Sequence, residues 1–316
     1  MRVQSGVHKL KKTRWEKFTT SCYQNKYLYL LALPGFIWLV LFAYKPMLGV
    51  LMAFQDYNII GGLWDSPWVG FKHFQTFFSG KDFAPIMGNT IKISLLQLLF
   101  GFPMPIILAI IFNELRTGTY KKVTQTISYL PHFLSWITIA GMMTTILSPS
   151  TGLVNNVLVM FGIEPIYFLA EKSMFVPILI ISSIWKEIGW SSVIYLASLA
   201  GLDQEVGEAA TIDGCTRFQK IIYINFPYLM STVAIMLILR VGGILNAGFD
   251  QIFNLYSPAT YDVADVLDTY VYRLGISGFQ YSLSTAIGLF KSVVGVIMVV
   301  VTNWLTKRLS DGEVSL

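Results

Sequence analysis

Apolar runs long enough to cross a bilayer recur six times along this chain, separated by polar or aromatic connections. A spanning helix needs about 20 mostly apolar residues. Six stretches meet that length: about Tyr27 to Met52, Pro85 to Phe112, Val123 to Leu147, Met174 to Leu199, Tyr228 to Phe249, and Tyr281 to Leu305. The pattern predicts an all-α membrane protein with six transmembrane helices in one domain over residues 27–305. A basic arm, residues 1–26, precedes it and a short tail, 306–316, follows it. Pro103 and Pro105 lack backbone donors and are expected to bend the second run. No repeat and no pair of interrupted helices in two halves stands out.

Composition agrees with the pattern. Of 316 residues, 54% are hydrophobic and 13% charged, about half the charge of a soluble domain, and mean hydropathy is +0.59. The net charge of +5 lies beside the apolar runs, so it reports topology and not nucleic-acid binding. The arm carries Arg2, Lys9, Lys11, Lys12, Arg14, Lys17 and Lys26 against Glu16. The 113–122 connection adds Arg116, Lys121 and Lys122, the central loop Arg217 and Lys220, and the tail Lys307 and Arg308. The alternate connections hold only Lys45, Lys72, Lys81, Lys172 and Arg273. Both termini and the central loop are therefore expected in the cytosol. Cys22 and Cys215 then share that side and are not expected to pair. No cleavable signal is expected from the basic start.

The outer connections are rich in aromatic residues. Residues 53–84 hold Trp64, Trp68, Phe71, Phe74, Phe77 and Phe78, read as a helix on the bilayer surface or as a shelf for an outside partner. A short helix is expected over Gly152 to Phe161. Residues 250–280 are polar and aromatic, as a protein-docking loop would be.

No nucleotide-binding loop is present: Gly80-Lys81-Asp82 lacks the closing Ser or Thr. His8, His73 and His132 lie in separate regions and form no metal set. Any energy used must therefore come from another chain, and ionisable groups inside the runs, which are costly there, are the candidates for function. Lys92 can snorkel. Lys186-Glu187 and Trp190 share one helix face, with Trp185 nearby. They form either a self-satisfied ion pair against a neighbouring helix or a polar, aromatic lining for a hydrophilic solute. Arg240, Gly242, Gly243, Asn246, Gly248 and Asp250 make the fifth run polar and loosely packed. Lys291 could neutralise Asp250 or Glu187, or line a path.

One stretch departs from its apolar neighbours: Gln204 to Pro227, QEVGEAATIDGCTRFQKIIYINFP. Its pattern predicts a short helix over Gln204–Ile212, a stop at Asp213-Gly214, and a second helix from Thr216 with Phe218, Ile221 and Ile222 on its apolar side. Glu208, Ala209, Ala210, Gly214, Ile224, Phe226 and Pro227 fall at the spacing of the EAA signature, with Phe226 where Leu is usual. Asp213 and Phe218 fit its carbohydrate-importer form. Asp203 stands where relatives often have Pro, which leaves the helix start open. The chain thus resembles permease subunits of binding-protein-dependent ABC importers. It resembles most the type I carbohydrate-uptake class and its branch for oligosaccharides and polysaccharide fragments in Gram-positive bacteria.

That resemblance implies a MetI-like fold in which Gln204–Ile212, between the fourth and fifth spans, is a cytosolic coupling helix. It implies a homologous second permease, a cytosolic ATPase dimer that binds the ATP and Mg²⁺, and an extracellular sugar-binding lipoprotein. This chain would be a transport subunit without a cofactor or catalytic residues. Glu208, Ala209, Ala210, Asp213, Gly214 and Phe218 would couple to the ATPase. Trp136, Lys186, Glu187, Trp190, Gly243 and Asn246 would border the sugar pathway. Other readings remain: an importer of amino acids, phosphate or metals, an ion-coupled secondary transporter, or a membrane enzyme.

Overall fold

The computed structural model describes residues 23–116 and 118–309. Most of the basic arm, Cys22 and the end of the tail lie outside them. Among the described residues there is no strand, only two isolated bridges, Gln55 with Trp68 and Asn58 with Gly62. The chain divides into two units between Leu51 and Met52. In the first, helix α1 (Lys26–Phe54) starts and buries none of its side chains up to Leu51. It is apolar all round, as a span must be, and it loosens into a π turn over Val40–Tyr44 just before Pro46.

The second unit holds the rest. After the short helices α2 (Gly62–Asp65) and α3 (Lys72–Ser79) comes α4, Phe83–Glu114. Its predicted bend is a π turn over Gln97–Gly101 directly ahead of Pro103 and Pro105, where the missing proline donors free carbonyls of the preceding turn. Helix α8 (Lys172–Leu199) is the central element. Ile180 on it joins a core cluster with Phe175, Leu179 and Ile252, and Tyr195 joins a second with Ile106, Ala109 and Leu229. Helix α14 (Tyr281–Leu309) closes the sequence of long helices.

Five helices among the described residues are long and apolar enough to cross a membrane. The third predicted run is not one of them. It is split into α5 (Thr119–Tyr129) and α6 (Trp136–Ile146) by a 3₁₀ turn, Leu130–Phe133, and by extended backbone at Leu134 and Ser135. Pro131 has no N–H to continue the ladder. Ser135 restarts the helix as its cap, accepting a hydrogen bond from the Thr138 N–H at 3.2 Å. The fifth predicted run also differs. Helix α10 begins earlier, at Arg217, and ends at Gly242. An irregular stretch over 243–248 follows, ending at Gly248 with φ +94°, a value that favours glycine. Two helices are thus interrupted, which apolarity alone concealed.

The connections expected outside are ordered. Helix α7 is Leu153–Met160, as expected within a residue at each end. The region after the second break carries α11 (Phe249–Leu255), α12 (Tyr261–Ala264) and α13 (Leu267–Tyr272). Asp265 ties it together, accepting from Arg273 at 2.6 and 3.2 Å and from the Thr269 hydroxyl at 2.7 Å. The Asp265 hydrogen bonds push the Arg273 guanidinium pKa above its usual value, and burial pushes the Tyr270 phenol up. In residues 53–84 the aromatic set does not act as a single surface helix. Phe77 is buried and packs on Phe83 and on Phe290 of α14, while Trp64 and Trp68 are exposed. Asp56 pairs with Lys72 at 2.7 Å, and that hydrogen bond holds its carboxyl below the usual carboxylate range.

Candidate functional site

The central cavity is built on α8. Lys186 is almost fully buried, 5% exposed, so its charge needs partners. Its ammonium donates to the His132 carbonyl oxygen at 2.6 Å and lies 3.4 Å from Glu187. It also sits 5.7 Å from the centre of the Trp136 ring. Glu187 meets His132 Nδ1 at 2.8 Å. The His132 ring stacks on Trp190, with centroids 4.7 Å apart and planes 5° apart. The break between α5 and α6 therefore supplies a free carbonyl and an imidazole, and one turn of α8 supplies the cation, the acid and the indole. Irregular backbone at this depth persists where protein or a water-filled cavity satisfies it.

Glu187 and Trp190 line a cavity of about 490 Å³. Its wall also includes Gln97, Ser183, Ser191 and Arg240. Gln97, in the π turn of α4, joins the second break: its Nε2 donates to the Ala247 carbonyl at 3.2 Å, and its Oε1 accepts from Arg240 at 3.1 Å. Gln251, just beyond that break, donates to the Leu179 carbonyl and the Ser182 hydroxyl at 2.7 and 2.8 Å. One carbonyl in the interruption is thereby held by an amide side chain, and a second amide ties the segment beyond it to α8.

Of the predicted pathway residues, Lys186, Glu187, Trp190 and Trp136 come together around His132. Gly243 and Asn246 do not line the cavity beside Glu187. They border a small adjoining pocket that shares Gln97 and Arg240 with it, and Asn246 also lines a separate cavity of about 610 Å³ with Asp268 and Lys291. Trp185 lies outside the cavity wall and is exposed. Lys291 pairs with Asp268, not with Asp250 or Glu187, because α13 brings Asp268 against α14. Sequence reasoning missed His132 and Gln97. The signal for the first was local: Pro131 followed four residues later by the capping Ser135. Nothing in the sequence marks Gln97 except its polarity in an apolar run.

A second candidate site is the polar stretch after α8. Helix α9 is Gln204–Ile212. Asp203 is its N-cap, accepting from the Glu205 N–H at 3.0 Å, so the residue that departs from the familial Pro still starts the helix. At its other end the Cys215 N–H reaches the Ala210 carbonyl at 2.9 Å and the Gly214 N–H the Thr211 carbonyl at 3.1 Å. This double closure requires the left-handed conformation that Gly214 adopts, φ +84°. Thr216 and Gln219 form a reciprocal capping box for α10. Glu208, Ala209, Asp213, Gly214 and Phe218 are exposed and Ala210 is half-buried. Ile212 is 87% and Phe218 69% exposed, so two large apolar side chains flank the turn with nothing covering them. Asn225 Nδ2 donates to Glu114 at 3.2 Å, which anchors the base of α10 to the end of α4.

Comparison with known proteins shows the family. Residues 96–311 match the family described as binding-protein-dependent transport system inner membrane component. Protein LplB of Bacillus subtilis is 44% identical over 285 residues, covering 90% of each chain. The polygalacturonan/rhamnogalacturonan transport system permease protein YteP of the same organism is 40% identical, covering 95% of this chain and 94% of its own. A solved bacterial ABC transporter involved in the import of the acidic polysaccharide alginate superposes with a TM-score of 0.86. It is 44% identical, over 93% of this chain and 99% of that one. The resemblance read from Glu208 to Pro227 thus holds across most of the sequence, and the chain belongs to the inner membrane component family of binding-protein-dependent transport systems.

Proposed function

We propose that this chain is one of two homologous membrane-spanning subunits of an ATP-driven importer that carries an oligosaccharide or polysaccharide fragment across the plasma membrane. The carrying observation is the cavity beside Lys186, Glu187, Trp190 and His132. A sugar offers hydroxyls to fixed donors and acceptors, and an apolar ring face to an indole. This wall presents both, at the break of a helix. The polygalacturonan/rhamnogalacturonan system of one relative and the alginate importer of a structural neighbour support a saccharide over an amino acid, phosphate or metal.

In this reading both termini are cytosolic, and the broken third run counts as one of six crossings. Helix α9 sits in a cleft of a separate ATPase, which binds the ATP and Mg²⁺. Glu208, Ala209, Ala210, Asp213, Gly214 and Phe218 form the gripped surface. A sugar-binding lipoprotein docks outside; the alginate neighbour was solved with a pentasaccharide-bound periplasmic protein. Closure of the ATPase pair moves α9, and α8 and α10 at its two ends turn the cavity from inward-facing to outward-facing. The capped, glycine-closed geometry of α9 lets it transmit that motion as a rigid piece.

The test is reconstitution of this chain with its paired permease, ATPase and binding protein in vesicles. ATP-dependent accumulation of labelled oligosaccharides is expected. Uptake that needs an ion gradient and no ATP, or ATP-driven uptake confined to amino acids, phosphate or metals, would overturn the reading.

A further inference from the structure

We infer that Arg240 receives a carboxylate of the transported saccharide, so that this subunit itself selects for acidic sugars. The inference rests on the transport reading above. Five basic residues lie within the predicted spans, and the structure disposes of four. Lys45 and Lys92 lie outside the cavity wall. Lys186 is spent on the His132 carbonyl and Glu187. Lys291 is held by Asp268. Arg240 is different. Among the described residues it forms no ion pair; its one hydrogen bond runs to the neutral Gln97 Oε1, at 3.1 Å from Nη2.

Position adds to this. Arg240 lies where the cavity beside Glu187 meets the small pocket of Gly243 and Asn246, and it lines both. It sits in the last turn of α10, immediately before the chain breaks. Gln97 fixes one edge of the guanidinium and leaves donors on the other. A guanidinium offers five N–H groups in a planar fork that matches a carboxylate two-by-two. Arg240 is exposed in the chain on its own, so its free donors are open to a ligand that enters the cavity walled by α4, α8 and α10. Glu187, on the same wall, is engaged by Lys186 and His132. With Lys186 counted behind the wall, the three groups carry one positive charge in excess, and Glu187 acts on the Arg240 charge without pairing to it. A neutral sugar would leave that charge unmatched; a uronate would match it.

The experiment uses the complete importer in vesicles and compares uptake of a labelled uronate oligomer with that of its carboxyl-reduced, neutral counterpart. Each is supplied at a saturating level, and the readout is the ratio of the two rates. A charge-assisted pair lost from such a site predicts that Arg240→Gln lowers the ratio about 10- to 100-fold. Arg240→Lys, which keeps the charge and loses the fork, should fall between. Glu187→Gln, which removes the acid on the same wall, should raise the ratio, and it keeps the test open if Arg240→Gln fails to assemble. Ratios unchanged in Arg240→Gln, or unchanged in Glu187→Gln where the former does not assemble, overturn the inference. A wild type that imports only the neutral oligomer overturns it and leaves the transport reading intact. A wild type that imports no saccharide overturns both.

Discussion

The Lys186 ammonium donates to the carbonyl oxygen of His132 at 2.6 Å, across 54 residues of sequence, and so pins the break in the third apolar run to the middle of α8. The carbonyl is free because extended backbone at Leu134 and Ser135 carries the N–H groups that follow away from it. The lysine tolerates burial because that carbonyl and Glu187 surround it.

Lys186→Met is therefore expected to destabilise the protein. It strips a buried carbonyl of its donor and Glu187 of its cation, a loss of about 3 kcal/mol for a broken buried pair. A lower midpoint of thermal unfolding of the purified complex, with Lys186→Arg closer to wild type, is the expected result. Equal midpoints for Lys186→Met and wild type would refute the pin.

Gly189→Ala tests how closely α5 and α8 approach. A Cβ on Gly189 would fall on the backbone carbonyl of Ser128, which cannot rotate away. Overpacking of this kind costs about 1–3 kcal/mol. The variant should assemble poorly, whereas Gly141→Ala, where open space awaits the methyl group, should match wild type. Yield and unfolding midpoint of the two variants provide the comparison.

The closing turn of α9 makes a prediction about coupling. Gly214→Pro and Glu208→Lys should abolish uptake while the protein still inserts into the membrane. The first removes the N–H that caps the Thr211 carbonyl, and the second reverses charge on the exposed face. Uptake assays paired with membrane fractionation decide this, and transport that persists in both variants refutes the docking role of α9.

Topology can be read with Cys215, half-buried beside that turn. In a Cys22→Ser protein, a membrane-impermeant thiol reagent should label Cys215 in inside-out vesicles and not in intact cells. Labelling of intact cells would place α9 on the wrong side for an ATPase.

Asp265→Asn should loosen the segment after the second break. It removes the carboxylate that orders Arg273 and Thr269 and leaves a half-buried guanidinium without its partner, a cost of about 1–3 kcal/mol. Faster amide exchange confined to residues 261–277 is the expected outcome. Unchanged exchange there would show that the ion pair does not order the segment.

Sequence alone determined the order of the apolar runs and the helix–glycine–helix of residues 204–220. Each of these is set by neighbours a few positions away: the length of an apolar run, a cap such as Asp203 or Thr216, and a glycine that takes φ +84° at Gly214. Tertiary structure decided where helices stop inside the apolar runs, and what the polar residues there face. Lys186 and Glu187 read equally well as an internal pair or as a cavity wall, because their third partner, His132, lies on another run. Gln97 carried no signal at all, since its role is to satisfy Ala247 and orient Arg240 some 150 residues on. A chain in lipid must satisfy every broken backbone group from within. The partners it uses are chosen by packing, so they stay invisible until the runs are brought together.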